Sequence, residues 1–303
     1  MSRKIRVLDG GMSRELMRLG ARLVQPEWSA MALMESPEIV RQVHAEFIEA
    51  GADVITTNSY ALVPFHIGED RFREQGPMLI ALSGQLARQA ADACTERKVL
   101  VCGSLPPIFG SYEPENFDPE RVQDYLSVLV DNLAPHVDIW LGETLSLIAE
   151  AEAVRTAVQT TGKPLWISFT LADGAAARSS DGPKLRSGET VAAAAQWAAK
   201  AGVEALLFNC SQPQVMDAAV RAAATVFGEL NAKAEIGVYA NAFEEKTDAE
   251  KANEGLSKVR ADLDGEAYLR FARDWVASGA TLVGGCCGIG VEQIEKLASD
   301  LKG

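Results

Sequence analysis

Eight short apolar runs recur along the chain, each separated from the next by a stretch long enough for a helix. They are 5–8, 53–57, 99–104, 137–143, 164–170, 203–210, 236–241 and 281–285. Each is rich in Val, Ile, Leu or Trp and lacks a clean polar alternation, the pattern of strands buried on both faces. The intervening stretches carry helix signals. At Ser36-Pro37-Glu38, the serine is an expected N-cap, proline suits the first turn, and glutamate complements the helix dipole. Val40, Val43, Phe47 and Ile48 form one apolar stripe behind it, and Gly51 closes the segment. Asp118-Pro119-Glu120 and Ser187-Gly188-Glu189 are read as two further helix starts.

Eight strand–helix units in 303 residues predict an α/β protein, a single-domain (β/α)8 TIM barrel over 1–303. A doubly wound sheet is the alternative, but no G-x-G-x-x-G turn follows the first run. Pro106–Phe117 and Ala242–Asp264 are read as loop insertions at one end of the barrel.

Composition narrows the function classes. The formal charge is 29 − 42 = −13, unsuited to binding nucleic acid or an anionic membrane. No stretch has the length of a membrane span, and Met1–Val7 has no apolar signal core behind its basic residues, so a cytoplasmic location is expected. Five cysteines, an odd number, do not suggest a disulfide framework in so large a chain. Cys94 and Cys102 lie in apolar surroundings and are read as inert thiols.

Active sites of such barrels form at the C-terminal strand ends. The ends here read Asp9-Gly10-Gly11, Thr56-Thr57-Asn58-Ser59-Tyr60, Gly142-Glu143-Thr144, Asn209-Cys210 and Gly285-Cys286-Cys287. Two acids, three thiols and several hydroxyls would meet on one rim. Adjacent residues of a strand point to opposite faces, so Cys286 and Cys287 can share a target only where the strand has ended. Three thiolates with no evident fourth ligand suit an exchangeable zinc site, and so thiolate-rich a centre suits sulfur activation better than water activation. From the residues alone the alternatives stay open: packing cysteines, a redox pair, or a phosphate-binding loop at Gly284–Gly290. Asp9 and Glu143 are either helix caps or a buried ion pair, or they hold the ammonium of an amino acid. Trp28 and Tyr60 are either core packing or aromatic walls for a cationic donor.

These residues resemble the homocysteine S-methyltransferase family nearly end to end. The matching motifs include Asp9–Met12, Pro26–Ala30, Val43-His44, Ala50–Tyr60, Gly103-Ser104, Glu143-Thr144, Trp166–Phe169, Asn209–Ser211 and Gly284–Gly288. The resemblance implies a Zn²⁺ enzyme in which Cys210, Cys286 and Cys287 are the metal ligands and Asp9 and Glu143 contact the homocysteine amino group. It implies methyl transfer from a small donor to homocysteine, forming methionine, with no catalytic side chain beyond the zinc centre. Family members differ in donor: S-methylmethionine, S-adenosylmethionine or betaine. The length resembles the S-methylmethionine type, without the folate and cobalamin modules of methionine synthase. A different thiol or selenol acceptor, a metal-free lyase binding phosphate, and a non-catalytic zinc- or thiol-binding barrel are the competing expectations. Two loops depart from the family pattern. Leu105–Gly110 replaces a glycine-rich turn after the third run, and Tyr239–Phe243 differs after the seventh.

Overall fold

In the computed structural model, which describes residues 4–173, 182–243 and 260–302, each apolar run forms one parallel strand. The strands are β1 (Arg6–Val7), β2 (Val54–Thr56), β3 (Leu100–Leu105), β4 (Ile139–Leu145), β5 (Leu165–Thr170), β6 (Ala205–Asn209), β7 (Glu235–Ala240) and β8 (Leu282–Gly285). Their order is β1-β8-β7-β6-β5-β4-β3-β2. The remaining seam, β1 to β2, closes through a parallel bridge between Leu8 and Val54 and through Asp53 N–H to Val7 O at 2.7 Å. The result is a (β/α)8 barrel.

Apolar character on both faces has a direct cause. Ala205 and Leu207 point into the barrel with Val54, Cys102, Ile139, Leu141, Trp166 and Leu282. Leu206 and Phe208, one residue out of phase, pack outward against the helices with Val101, Ile167 and Val238. The same period of two, carried one step up the strands, brings Thr56, Ser104, Glu143, Ser168 and Asn209 to the inward position. The interior therefore turns from apolar to polar at the C-terminal end.

The helix Pro37–Glu49 begins and ends where expected, with Pro37 in its first turn and Gly51 behind it at φ +103°. Val40, Val43, Phe47 and Ile48 are buried. Ser36, however, makes no side-chain cap. The other two starts are displaced. Asp118 Oδ1 accepts from the amides of Glu120 (3.0 Å) and Arg121 (3.3 Å), and the helix itself is Val122–Leu133. The helix Val191–Ala201 is capped by Thr190, whose Oγ1 accepts from Ala193 N–H at 3.1 Å. Ser187 and Glu189 serve the neighbouring helix instead: Glu189 Oε2 accepts from Ile148 N–H at 3.0 Å and from Ser187 Oγ at 2.8 Å. Hydroxyl and carboxylate caps compete for nearby amides, and tertiary proximity chose the winner.

Pro106–Phe117 is the loop after β3 and contains a short 3₁₀ turn, Pro114–Asn116. Most of Ala242–Asp264 lies outside the described residues; its last residue, Asp264, caps the helix Gly265–Ala277. Cys102 is buried inside the barrel, while Cys94 is half-buried at its periphery. Among the described residues no helix is long and apolar enough to cross a membrane.

Candidate metal centre and substrate cleft

The three cysteines meet above the mouth of the barrel. Cys210 follows β6 directly and takes φ +47°, a left-handed turn that lifts its side chain off the strand's alternation. Cys286 and Cys287 follow β8, where the strand has ended; Cys286 N–H donates to Ala240 O at 2.9 Å. The three Sγ atoms lie within 4.8 Å of one another. Cys287 Sγ is 4.0 Å from Cys210 Sγ and 3.9 Å from Cys286 Sγ. Tetrahedral Zn–S bonds of about 2.3 Å would set sulfurs about 3.8 Å apart, so the donor set fits one soft cation. Cys210 and Cys286 are joined as a disulfide in this structure. The bonded pair is thus not the vicinal pair, and a single cross-link exists where none was expected. A disulfide sulfur offers no thiolate, so the metal-binding form is the reduced one.

A glycine clasp between the ends of β1 and β8 holds this arrangement. Gly11 N–H donates to Ile289 O at 2.7 Å and Gly285 N–H to Asp9 O at 3.0 Å. A Cβ on Gly11 would lie 2.5 Å from Cys286 O, and one on Gly285 would overlap Ile289. The clasp also weakens the phosphate-loop reading. The amides of Gly285, Cys286, Ile289 and Gly290 are engaged by Asp9 O, Ala240 O, Cys286 O and Gln293 Oε1. They do not converge on an anion.

Both acids face the same space. Asp9 is buried and accepts Thr56 N–H at 2.7 Å through Oδ2. Glu143 accepts the Ser104 hydroxyl at 2.5 Å through Oε2. Burial pushes Asp9 up to about 8, with the nearby Glu143 charge adding to it against the Thr56 amide. Burial likewise pushes Glu143 up to about 7, opposed by the Ser104 hydrogen bond. Among the described residues no lysine or arginine pairs with either carboxylate, and neither caps a helix. A buried carboxylate and a part-buried one without a cation favour the arrival of one.

A family model, homocysteine S-methyltransferase, matches residues 6–301. The chain belongs to this family. Homocysteine S-methyltransferase 1 of Arabidopsis thaliana is 31% identical over 98% of this chain and 93% of its own. A selenocysteine methyltransferase of Astragalus bisulcatus is 29% identical over 93% of this chain and 88% of its own. Among solved structures, the Escherichia coli homocysteine methyltransferase MmuM in its metallated form superposes with a TM-score of 0.78 at 28% identity. The match covers 98% of this chain and 96% of that one. An oxidised form of MmuM matches with a TM-score of 0.76.

The rest of this homocysteine S-methyltransferase's rim is built from side chains on several strand ends. Tyr60 donates to or accepts from Ser111 Oγ at 2.7 Å, and its phenol lies within the electrostatic reach of Glu143 and Cys287. Trp28, at φ +49°, is half-buried with its indole N–H on Ser13 Oγ. Asn58 Nδ2 donates to Ser29 O at 3.1 Å, tying the Trp28 turn to the end of β2. Of the histidines, His44 lies inside the helix Pro37–Glu49 and His136 before β4, while His66 packs beside the Tyr60 ring, centroids 6.3 Å apart, with Nδ1 on Pro26 O at 3.0 Å.

Two contributors, Asn209 and Tyr239, stand in the sequence motifs without an assigned role. Asn209 Oδ1 accepts from Ser168 Oγ at 2.7 Å while Nδ2 donates to Thr144 Oγ1 at 2.8 Å and lies 3.9 Å from Cys286 Sγ. Tyr239, buried inside the barrel, places its phenol beside Ser168 and Glu143, close enough to feel the Glu143 charge. Counting inward positions by two flags both, Asn209 on β6 and Tyr239 beside it on β7.

Proposed function

We propose that this enzyme transfers a methyl group from a small sulfonium donor to homocysteine at a zinc ion held by Cys210, Cys286 and Cys287. The observation that carries the reading is the convergence of three sulfurs with two carboxylates, Asp9 buried and Glu143 part-buried, that have no lysine or arginine partner among the described residues. A zinc ion in a three-thiolate set would deprotonate a thiol at its remaining position while leaving the sulfur electron-rich. Asp9 and Glu143 hold the homocysteine ammonium, the Thr56 amide and Ser104 hydroxyl fixing their orientation. Tyr60 and Trp28 wall the cleft. The acceptor sulfur forms its new S–C bond as the donor's C–S⁺ bond breaks. The electron pair of that bond stays on the donor sulfur, which leaves as a neutral thioether, and the thiol proton goes to solvent. No general acid is needed, because the leaving group is neutral. Holding thiolate and methyl in line supplies much of the rate.

S-methylmethionine is the first donor and S-adenosylmethionine the second. The need for free thiolates points to a reducing compartment, the cytoplasm. The match to a selenocysteine methyltransferase favours one variant, a selenol acceptor at the same centre. The deciding experiment incubates reduced, zinc-loaded protein with homocysteine or selenocysteine and a panel of S-methylmethionine, S-adenosylmethionine and betaine, reading products by mass. Methionine from a sulfonium donor is the expected result. Transfer from betaine alone would replace the donor assignment, and metal binding without any turnover would leave a zinc-binding barrel.

A further inference from the structure

The loop after β3 and the segment after β5 meet over the rim, where the Arg186 guanidinium carbon lies 4.9 Å from the centroid of the Tyr112 ring. Both residues are anchored to the sulfur centre. On one side, the Tyr60 hydroxyl bonds Ser111 Oγ at 2.7 Å, and the next residue, Tyr112, turns its backbone to φ +67°. On the other, Arg186 N–H donates to Thr170 O at 3.2 Å, and Thr170 Oγ1 lies 3.1 Å from the hydroxyl of Ser211, the residue after Cys210. A line of contacts therefore runs from Tyr60 through Ser111, Tyr112, Arg186, Thr170 and Ser211 to Cys210.

Arg186 carries one more contact that matters chemically. Its Nη2 is 3.0 Å from Asp173 Oδ1, and the two side chains keep 29% and 21% of their surface exposed. A positive fork and a carboxylate thus sit side by side, open to solvent, at the edge of the cleft. An amino acid presents the complementary pair, carboxylate and ammonium, on a single carbon. Guanidinium geometry matches a carboxylate bidentately, and an aromatic ring attracts a cationic centre.

We propose that Arg186, backed by Tyr112 and Asp173, is the specificity-determining residue for the methyl donor, binding the carboxylate of an amino-acid-type sulfonium whose methyl faces the cysteine centre. This rests on the methyl-transfer reading above and names the donor's class. Arg186 takes no part in bond making; it positions the donor and selects one with a carboxylate.

The test compares S-methylmethionine with its carboxamide, which keeps the sulfonium and loses the negative charge, on the full-length, reduced, zinc-loaded enzyme at saturating homocysteine. Wild type is expected to prefer the acid by about 10- to 100-fold in kcat/KM, the worth of one charged hydrogen-bonded contact. Arg186→Gln should lower kcat/KM for the acid by that factor through KM, leave the amide unchanged, and bring the ratio near one. Arg186→Lys should recover part of the preference, and zinc content and homocysteine affinity should not move. A preference unchanged in Arg186→Gln, or an equal fall for both donors, would overturn the assignment and leave Arg186 as a pin for the turn. A wild type inactive with S-methylmethionine while zinc is bound would overturn the donor reading itself, and the proposal with it.

Discussion

The two sides of the barrel mouth are built differently. On the β1/β8 side the cysteine pair and Asp9 are held by backbone: amide-to-carbonyl bonds and glycines with no room for a Cβ. On the β3/β5 side the backbone bond from Arg186 N–H to Thr170 O is joined by side-chain contacts on loops: a hydroxyl pair, a ring contact and a part-exposed ion pair. Backbone clasps tolerate almost no substitution, because close-packed main chain cannot relax around a new methyl group. Side-chain contacts on loops can be exchanged one at a time. Under the proposed function the first side would carry Cys286, Cys287 and Asp9 and the second would select the donor, with Glu143 and Cys210 between them. The chain departs from the family pattern on both sides, at Leu105–Gly110 after β3 and at Tyr239–Phe243 after β7.

Five changes would break or sharpen the contrast. The largest effect is expected for Cys286→Ala: zinc retention and methyl transfer fall below detection while the circular dichroism of the barrel is kept. Full metal content in that variant would remove the basis of the centre.

Next comes acidification, which acts on the clasp side through His44. This histidine lies in Pro37–Glu49, whose Phe47 ring abuts Gly10, and neither ring nitrogen has a hydrogen bond among the described residues. Burial pushes it down from 6.5 to about 4. The unfolded chain then binds the proton more readily than the folded one. The contribution is complete above pH 6.5 and is lost as pH falls from 6.5 to 4, about 3 kcal/mol in all. Asp9 and Glu143 act with the opposite sign, their raised values favouring the fold at low pH. The check is therefore a difference: the stability gap between wild type and His44→Leu, by urea titration, should shift against wild type across that window. A gap independent of pH would contradict the buried neutral imidazole.

Third, Glu143→Gln should weaken homocysteine binding by about 1.5–3 kcal/mol, or roughly 10- to 150-fold, as a charged hydrogen-bond partner is lost. Isothermal titration on zinc-loaded protein reads this; unchanged affinity would reject the ammonium contact. Fourth, Gly11→Ala should cost about 1–3 kcal/mol in urea stability and loosen zinc, since its Cβ would sit 2.5 Å from Cys286 O. A neutral result would show that the clasp can give. The smallest effect belongs to the β3 side. Arg121 pairs with Glu69 at 2.9 Å with both side chains about half exposed and lies over Phe109. Arg121→Ala should leave the urea midpoint nearly unchanged and methyl transfer intact. A large loss of activity would mean that this side carries more of the chemistry than its contacts suggest.

The barrel was legible because strands buried on both faces must be apolar throughout, and eight such runs leave few topologies. The cysteine centre was legible because Cys286 and Cys287 lie just beyond a strand, flanked by glycines that read as a turn. Asp9 and Glu143 were legible as strand-end acids, but not the absence of a cation beside them. Helix starts were harder. Ser187 and Glu189 look like a cap in sequence and act as one only for a different helix, because a free amide is claimed by whichever acceptor the fold brings near.

Amino-acid order alone determined which residues could reach the barrel mouth, since strand periodicity and strand ends are local properties. Only the folded chain decided which of them meet. The joining of Cys210 to Cys286 and the stacking of Arg186 on Tyr112 link segments 76 and 74 residues apart. No local rule sets distances across a closed sheet; its closure and the packing of its loops do.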